Sequence, residues 1–127
     1  MKLKSINAPS APQPAGSYSQ ALEVQGAQRL LFVSGQVPET AAGDVPPDFK
    51  DQARLVWSNV NAQLESAGMT MANLVKVTTF LSSREFNIAN REVRKEVLGS
   101  HSPALTVIIT GIFDEKWLLE IEAVAVA

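Results

Sequence analysis

Leu118-Leu119-Glu120-Ile121-Glu122-Ala123-Val124-Ala125-Val126-Ala127 is the stretch around which the chain arranges itself. Side chains alternate across a strand, so Leu119, Ile121, Ala123 and Ala125 make one wholly apolar row. The other row runs Leu118, Glu120, Glu122, Val124, Val126 and sets two carboxylates on an otherwise hydrophobic face. A carboxylate withdrawn from water needs hydrogen bonds, a counter-charge or a proton. Glu120 and Glu122 are therefore either members of a site or part of a wet face on a half-solvated sheet.

Upstream, 127 residues with 46% hydrophobic and 19% charged content suit one domain over residues 1–127, with a core that needs no covalent staples. The net charge of -2 offers no basic footprint for nucleic acid. No apolar run reaches the ~18–20 residues of a membrane span, and Met1-Lys2-Leu3-Lys4 is not followed by an apolar leader, so a cytoplasmic protein is expected. With no cysteine and one histidine, thiolate chemistry is excluded and a histidine metal cluster is not expected.

In chain order, residues 2–7 alternate as a short strand, and the three prolines and glycine of 8–17 make an extended loop delivering Tyr18-Ser19-Gln20. Residues 19–24 and 29–36 read as two strands joined through Gln25-Gly26-Ala27-Gln28 as a hairpin. Phe49, Ala53, Val56, Trp57, Val60, Leu64 and Ala67 recur at helical spacing, with Asp48 as N-cap and Gly68 just past the end. Val75 to Leu81 is rich in β-branched residues and reads as a strand. Ser82 and Glu85 have capping-box spacing, opening a second helix that runs to Leu98 with Phe86, Ala89, Val93 and Val97 inward. Residues 104–109 form a further strand.

The resulting order, β-β-β-α-β-α-β-β, predicts an α+β fold with one mixed sheet. Right-handed crossovers put both helices on one face of it. The other face, with Leu118, Val124 and Val126, is left uncovered, which predicts self-association by sheet packing. His101, in a polar loop, is expected at the surface, and Trp57 in the core.

Ala15-Gly16-Ser17-Tyr18-Ser19-Gln20, Val33-Ser34-Gly35-Gln36-Val37-Pro38, Asn59-Val60, Ala67-Gly68, Leu74-Val75-Lys76-Val77-Thr78, Pro103-Ala104 and Glu120-Ile121-Glu122-Ala123-Val124-Ala125-Val126 together carry a resemblance. In these segments the chain resembles the Rid family (reactive intermediate deaminases, also YjgF or "L-PSP endoribonucleases") along nearly its whole length. The resemblance implies a chorismate-mutase-like domain in a homotrimer with sheets facing inward. It implies a small-molecule pocket between subunits, and hydrolysis of enamines and imines such as 2-aminoacrylate to the carbonyl compound and ammonia without cofactor or metal. Carried over by motif, Glu120 is the catalytic residue that positions water or moves a proton. By the same carry-over Tyr18, Ser34, the Gly35 backbone and Asn90 are the other pocket members, with Asn87 close to Asn90. Beside them Leu105, Val107 and, just before Glu120, Trp117 are expected to complete the substrate-binding surroundings.

One departure is chemical. Directly after Pro103-Ala104 the family has an arginine that grips the substrate carboxylate in bidentate fashion, and this chain has Leu105. Activity on 2-aminoacrylate-type acids is expected to be weak or absent, unless a cation such as Arg29, Arg91 or Lys116 takes the arginine's part. Three readings follow: a divergent imine or enamine deaminase, a non-catalytic small-molecule-binding or interaction protein, and a ribonuclease, which the acidic balance disfavours.

Overall fold

The computed structural model describes all 127 residues as six strands and two helices. The strands are β1 (Lys2–Ile6), β2 (Ala21–Gln25), β3 (Leu30–Gln36), β4 (Leu74–Leu81), β5 (Ala104–Ile109) and β6 (Leu119–Val126). The helices are α1 (Phe49–Ser66) and α2 (Asn87–Leu98). β3, β6, β4 and β5 form a four-stranded mixed sheet in that order. The last strand lies at its centre, antiparallel to both β3 and β4, and β4 and β5 are parallel, joined through α2.

The apolar row of β6 faces the helices. Leu119, Ile121, Ala123 and Ala125 are buried in one core with Trp57 and Leu64 of α1, Val93 of α2 and Val77 and Leu81 of β4. Each large side chain so buried contributes about 1.5–3 kcal/mol. α1 begins where Asp48 accepts a hydrogen bond from the Asp51 N–H, and ends before Gly68, whose φ of +71° turns the chain away. Gln52, buried on α1, donates Nε2 to the carbonyls of Pro46 (2.8 Å) and Lys116 (2.9 Å) and accepts from the Leu118 N–H (2.8 Å). It thereby fixes the approach to β6.

Four details differ from the sequence reading. The expected hairpin between the second and third strands is replaced by pairing of β2 with β1 in a separate two-stranded ribbon, because the proline-rich loop brings the chain back beside its own start. Before α2 the cap is Ser83, whose hydroxyl accepts from the Glu85 N–H over a single 3₁₀ turn, Arg84–Phe86. His101 is half-buried, its Nε2 2.7 Å from the Leu74 carbonyl oxygen, and so ties the loop before β5 to β4.

The fourth concerns the uncovered sheet face. Leu118 is half-buried, held by its bond to Gln52 beside Val45, Pro46 and Pro47. Val126 is buried at the strand end, where Asn73 Nδ2 ties the preceding turn to its carbonyl (2.9 Å). The apolar groups that do face outward come from the sheet edges: Phe32 (75% exposed), Leu30 (65%) and Ile108 (42%). No helix is long and apolar enough to cross a membrane.

Candidate functional site

The sheet register assigns each residue of the two rows to a face. Glu120 pairs with Phe80, which pairs with Ile108, while Ala123 pairs with Val77, which pairs with Leu105. Directly opposed residues share a face, so Leu105 and Val107 stand on the helix side with buried Val77 and Thr79. Glu120 stands on the open side. The sequence-predicted residues consequently fall into two groups on opposite faces of one sheet.

The first group gathers around Glu120. A bulge interrupts the β3–β6 ladder between Val33 and Gln36, and Gly35 lies in it against the half-buried Glu120 carboxylate. A Cβ at position 35 would stand 2.7 Å from Glu120 Cδ, closer than any real contact. Glycine therefore leaves the space the carboxylate fills, which is the reason for the small residue closing an otherwise apolar strand. Ser34 is exposed beside it, its carbonyl accepting from Gln36 Nε2 (3.0 Å).

The second group lines a cavity of about 290 Å³ on the helix side, at the β5 edge. Tyr18 is brought there by its neighbour Ser19, whose N–H donates to the Pro103 carbonyl (3.1 Å) and whose hydroxyl donates to the Ser102 carbonyl (2.6 Å). These bonds fasten the proline-rich loop to the start of β5, beside Leu105 and Val107. Tyr18 Oη in turn accepts from the Ala15 N–H (3.2 Å). From α2 come Asn87, Arg91 and Arg94, which at spacings of four and three lie on one side of the helix.

Asn90 is buried in α2, whereas Asn87 is the asparagine that borders the cavity. Trp117 is half-buried in the turn before β6, its N–H on the Asp114 carbonyl (3.0 Å), apart from the cavity lining. Of the three candidate replacement cations, only Arg91 reaches the cavity. Arg29 Nη2 binds the Ala67 carbonyl (2.5 Å), and Lys116 lies near Val45 and Pro46.

Sequence reasoning missed Arg94. It is 6% exposed, and burial together with the neighbouring Arg91 charge holds its guanidinium below the usual arginine range. The signal lay in its register: Arg94 falls four residues after Asn90 and four before Leu98, on the inward stripe that Asn90, Val93, Arg94 and Leu98 form along α2, an unusual place for an arginine.

The family model described as Endoribonuclease L-PSP matches residues 8–127. The chain belongs to this family, the Rid family. A RutC family protein of Pyrococcus horikoshii is 37% identical over 118 residues, covering 91% of each chain. TdcF of Escherichia coli, which carries a reactive intermediate deaminase name, is 32% identical over 127 residues, covering 97% of this chain and 96% of its own. The crystal structure of TdcF with bound serine superposes with a TM-score of 0.73 over 98% of both chains. YyfB from Yersinia pestis, assigned to the conserved Rid protein family, superposes with a TM-score of 0.86 at 26% identity over the full length of both. These Rid neighbours share the α+β, chorismate-mutase-like architecture expected from the sequence.

Proposed function

We propose that the chain is a divergent Rid-type hydrolase that converts a small imine or enamine to its carbonyl compound and ammonia in a pocket completed between subunits of a homotrimer. The observation that carries this reading is the fit of the Glu120 carboxylate over Gly35 on an open, partly apolar sheet face. Exposed Phe32 and Leu30 beside it suit packing against a second copy. That packing sets the Glu120 half of one chain facing the Tyr18 half of its neighbour, and one chain alone cannot join the two. TdcF, a relative with a deaminase name, binds a small amino acid, which supports a small-molecule ligand here.

In this reading water adds to the imine carbon, the carbon–nitrogen bond breaks, and nitrogen leaves as ammonia. An enamine first gains a proton on carbon and loses one from nitrogen to become the imine. Glu120 then passes one proton from the attacking water to nitrogen and the second from the new hydroxyl to nitrogen as the carbonyl forms, the part that suits a positioned carboxylate. Tyr18 and Ser34 orient the substrate with their hydroxyls, Asn87 lies at the α2 side, and Val107 and Leu105 supply an apolar wall. Leu105 offers no donor from β5, so 2-aminoacrylate-type acids that need a cation at that strand position are poor substrates. No residue assigned here requires a metal or cofactor for this chemistry.

Leu105 also favours the second reading, a non-catalytic ligand-binding member on the same trimeric scaffold. Imines generated in situ from several amino acids by an oxidase separate the two. Faster decay with wild type than with Glu120→Ala supports the hydrolase, and no acceleration of any imine removes it.

A further inference from the structure

Arg94 is buried in the cavity without an opposing charge. Every ion pair of the chain lies elsewhere, between Lys50 and Glu92 and between Arg54 and Asp51 or Glu96. Among the nine residues that line the cavity, Arg91 and Arg94 are both cations and none is acidic. The groups that bear on the Arg94 charge are Arg91, which opposes it, and the Tyr18 hydroxyl. A guanidinium withdrawn from water beside a second guanidinium costs free energy that only an anion offsets well.

The position of that charge is specific. Leu105 removes the cation that the family resemblance expects on β5, and Arg94 brings one into the same cavity from α2. Its neighbours supply what a bound carboxylate needs besides charge. Tyr18, Gln20 and Asn87 border the same space with polar side chains, Gln20 Nε2 donating to the Pro12 carbonyl (3.1 Å), and Leu105 and Val107 are apolar members of its wall.

We propose that Arg94, assisted by Arg91 at the cavity mouth, is the anion-binding residue of this protein and holds the carboxylate of a small 2-oxo or 2-imino acid from the helix side. The site therefore selects acids, but with the carboxylate displaced from β5 toward α2. The imino carbon then sits differently from that of an acid gripped at position 105, which fits poor turnover of 2-aminoacrylate alongside retained affinity for acids. The inference rests on the small-molecule pocket proposed above and not on its catalysis. A protein that binds acids and hydrolyses no imine would keep the Arg94 assignment and lose the hydrolase reading.

The test is direct binding, by calorimetry or NMR titration of the full chain, of pyruvate and 2-oxobutyrate against their neutral amides. Wild type is expected to bind the acids at least about ten-fold more tightly than the amides, the ratio a charge-assisted bidentate pair supplies. Arg94→Gln is expected to abolish that preference, and Arg94→Lys to recover part of it. Arg91→Gln, at an exposed position that does not threaten the fold, is expected to weaken acid binding severalfold. Equal binding of acids and amides by wild type overturns the proposal. So does a preference that survives in Arg94→Gln, or one that emerges only in Glu120→Gln, which would assign Arg94 to a carboxylate of a second subunit. Should Arg94→Gln fail to fold, an Arg91→Gln variant with undiminished acid preference overturns it as well.

Discussion

Glu120 and Leu105 stand on opposite faces of the same sheet. They are separated by two strand spacings of about 4.8 Å and by three residues, roughly 10 Å, along the strand direction. The two halves of the candidate site therefore cannot meet within one chain. Each half is nevertheless built with care, Glu120 by the bulge at Gly35 and Tyr18 by the tether of Ser19 to the start of β5.

Gly35→Ala probes the first half without cutting the core. The new methyl group meets the far end of a flexible side chain, so the Glu120 carboxylate swings aside and the backbone keeps its course. Imine turnover is expected to fall by at least about ten-fold, part of the 10²–10⁴ a positioned acid–base group supplies. Circular dichroism is expected to stay unchanged, and a thermal melt to move by only a few degrees.

Gln52→Ala probes how the approach to β6 is held. Three hydrogen bonds of the buried Gln52 carboxamide vanish together and leave two carbonyls and one N–H, all part-buried, without these partners. Urea denaturation is expected to show a loss of about 2–4 kcal/mol. A loss below about 0.5 kcal/mol would mean that the loop before β6 is held by other contacts.

Phe32→Glu places a charge on the open face at its most exposed apolar position. If this face packs between subunits, light scattering at micromolar concentration is expected to change from trimer to monomer, with the helical signal preserved. Ile88→Glu, on the exposed side of α2, is the control and is expected to leave the assembly intact.

Arg54 bonds Glu96 through Nε (3.2 Å) and Nη2 (3.3 Å) and ties α1 to α2. The hydrogen bond and the charge of Arg54 hold the Glu96 carboxyl below the ordinary carboxylate range, and Glu96 raises Arg54 in turn. Because the folded carboxyl binds its proton less readily than the unfolded one, this pair's contribution is full above the unfolded carboxylate pKa. It is lost as pH falls through the lower folded value. NMR titration of Glu96 is expected to show that low midpoint, returning to the ordinary range in Arg54→Gln.

Much of this arrangement was legible from local signals. The periodicity from Phe49 to Leu64, with Asp48 and Gly68 at its ends, marked α1 because capping and amphipathicity act within a few residues. The alternation from Leu119 to Ala125 marked β6 for the same reason. What escaped depended on long-range partners. The return of β2 to β1 is set by where the proline-rich loop lands, and the facing of Glu120 away from Leu105 is set by register across three strands. Arg94 escaped because an arginine on a helix is ordinarily solvated, and its burial depends on the residues that gather around it from distant parts of the chain, Gly16, Ser17 and Tyr18 of the proline-rich loop among them.

The shared pocket is tested most directly by subunit complementation with Glu120→Ala and Tyr18→Ala, each disabling one half of the site. Each homotrimer is expected to be inactive on imines. Co-expressed in equal amounts, the two variants assemble pockets in which the intact halves of different chains meet. Roughly a quarter of wild-type activity then returns, as random mixing in a cyclic oligomer gives. Mixed trimers, verified by mass spectrometry, that remain as inactive as either parent would contradict a site built from two subunits.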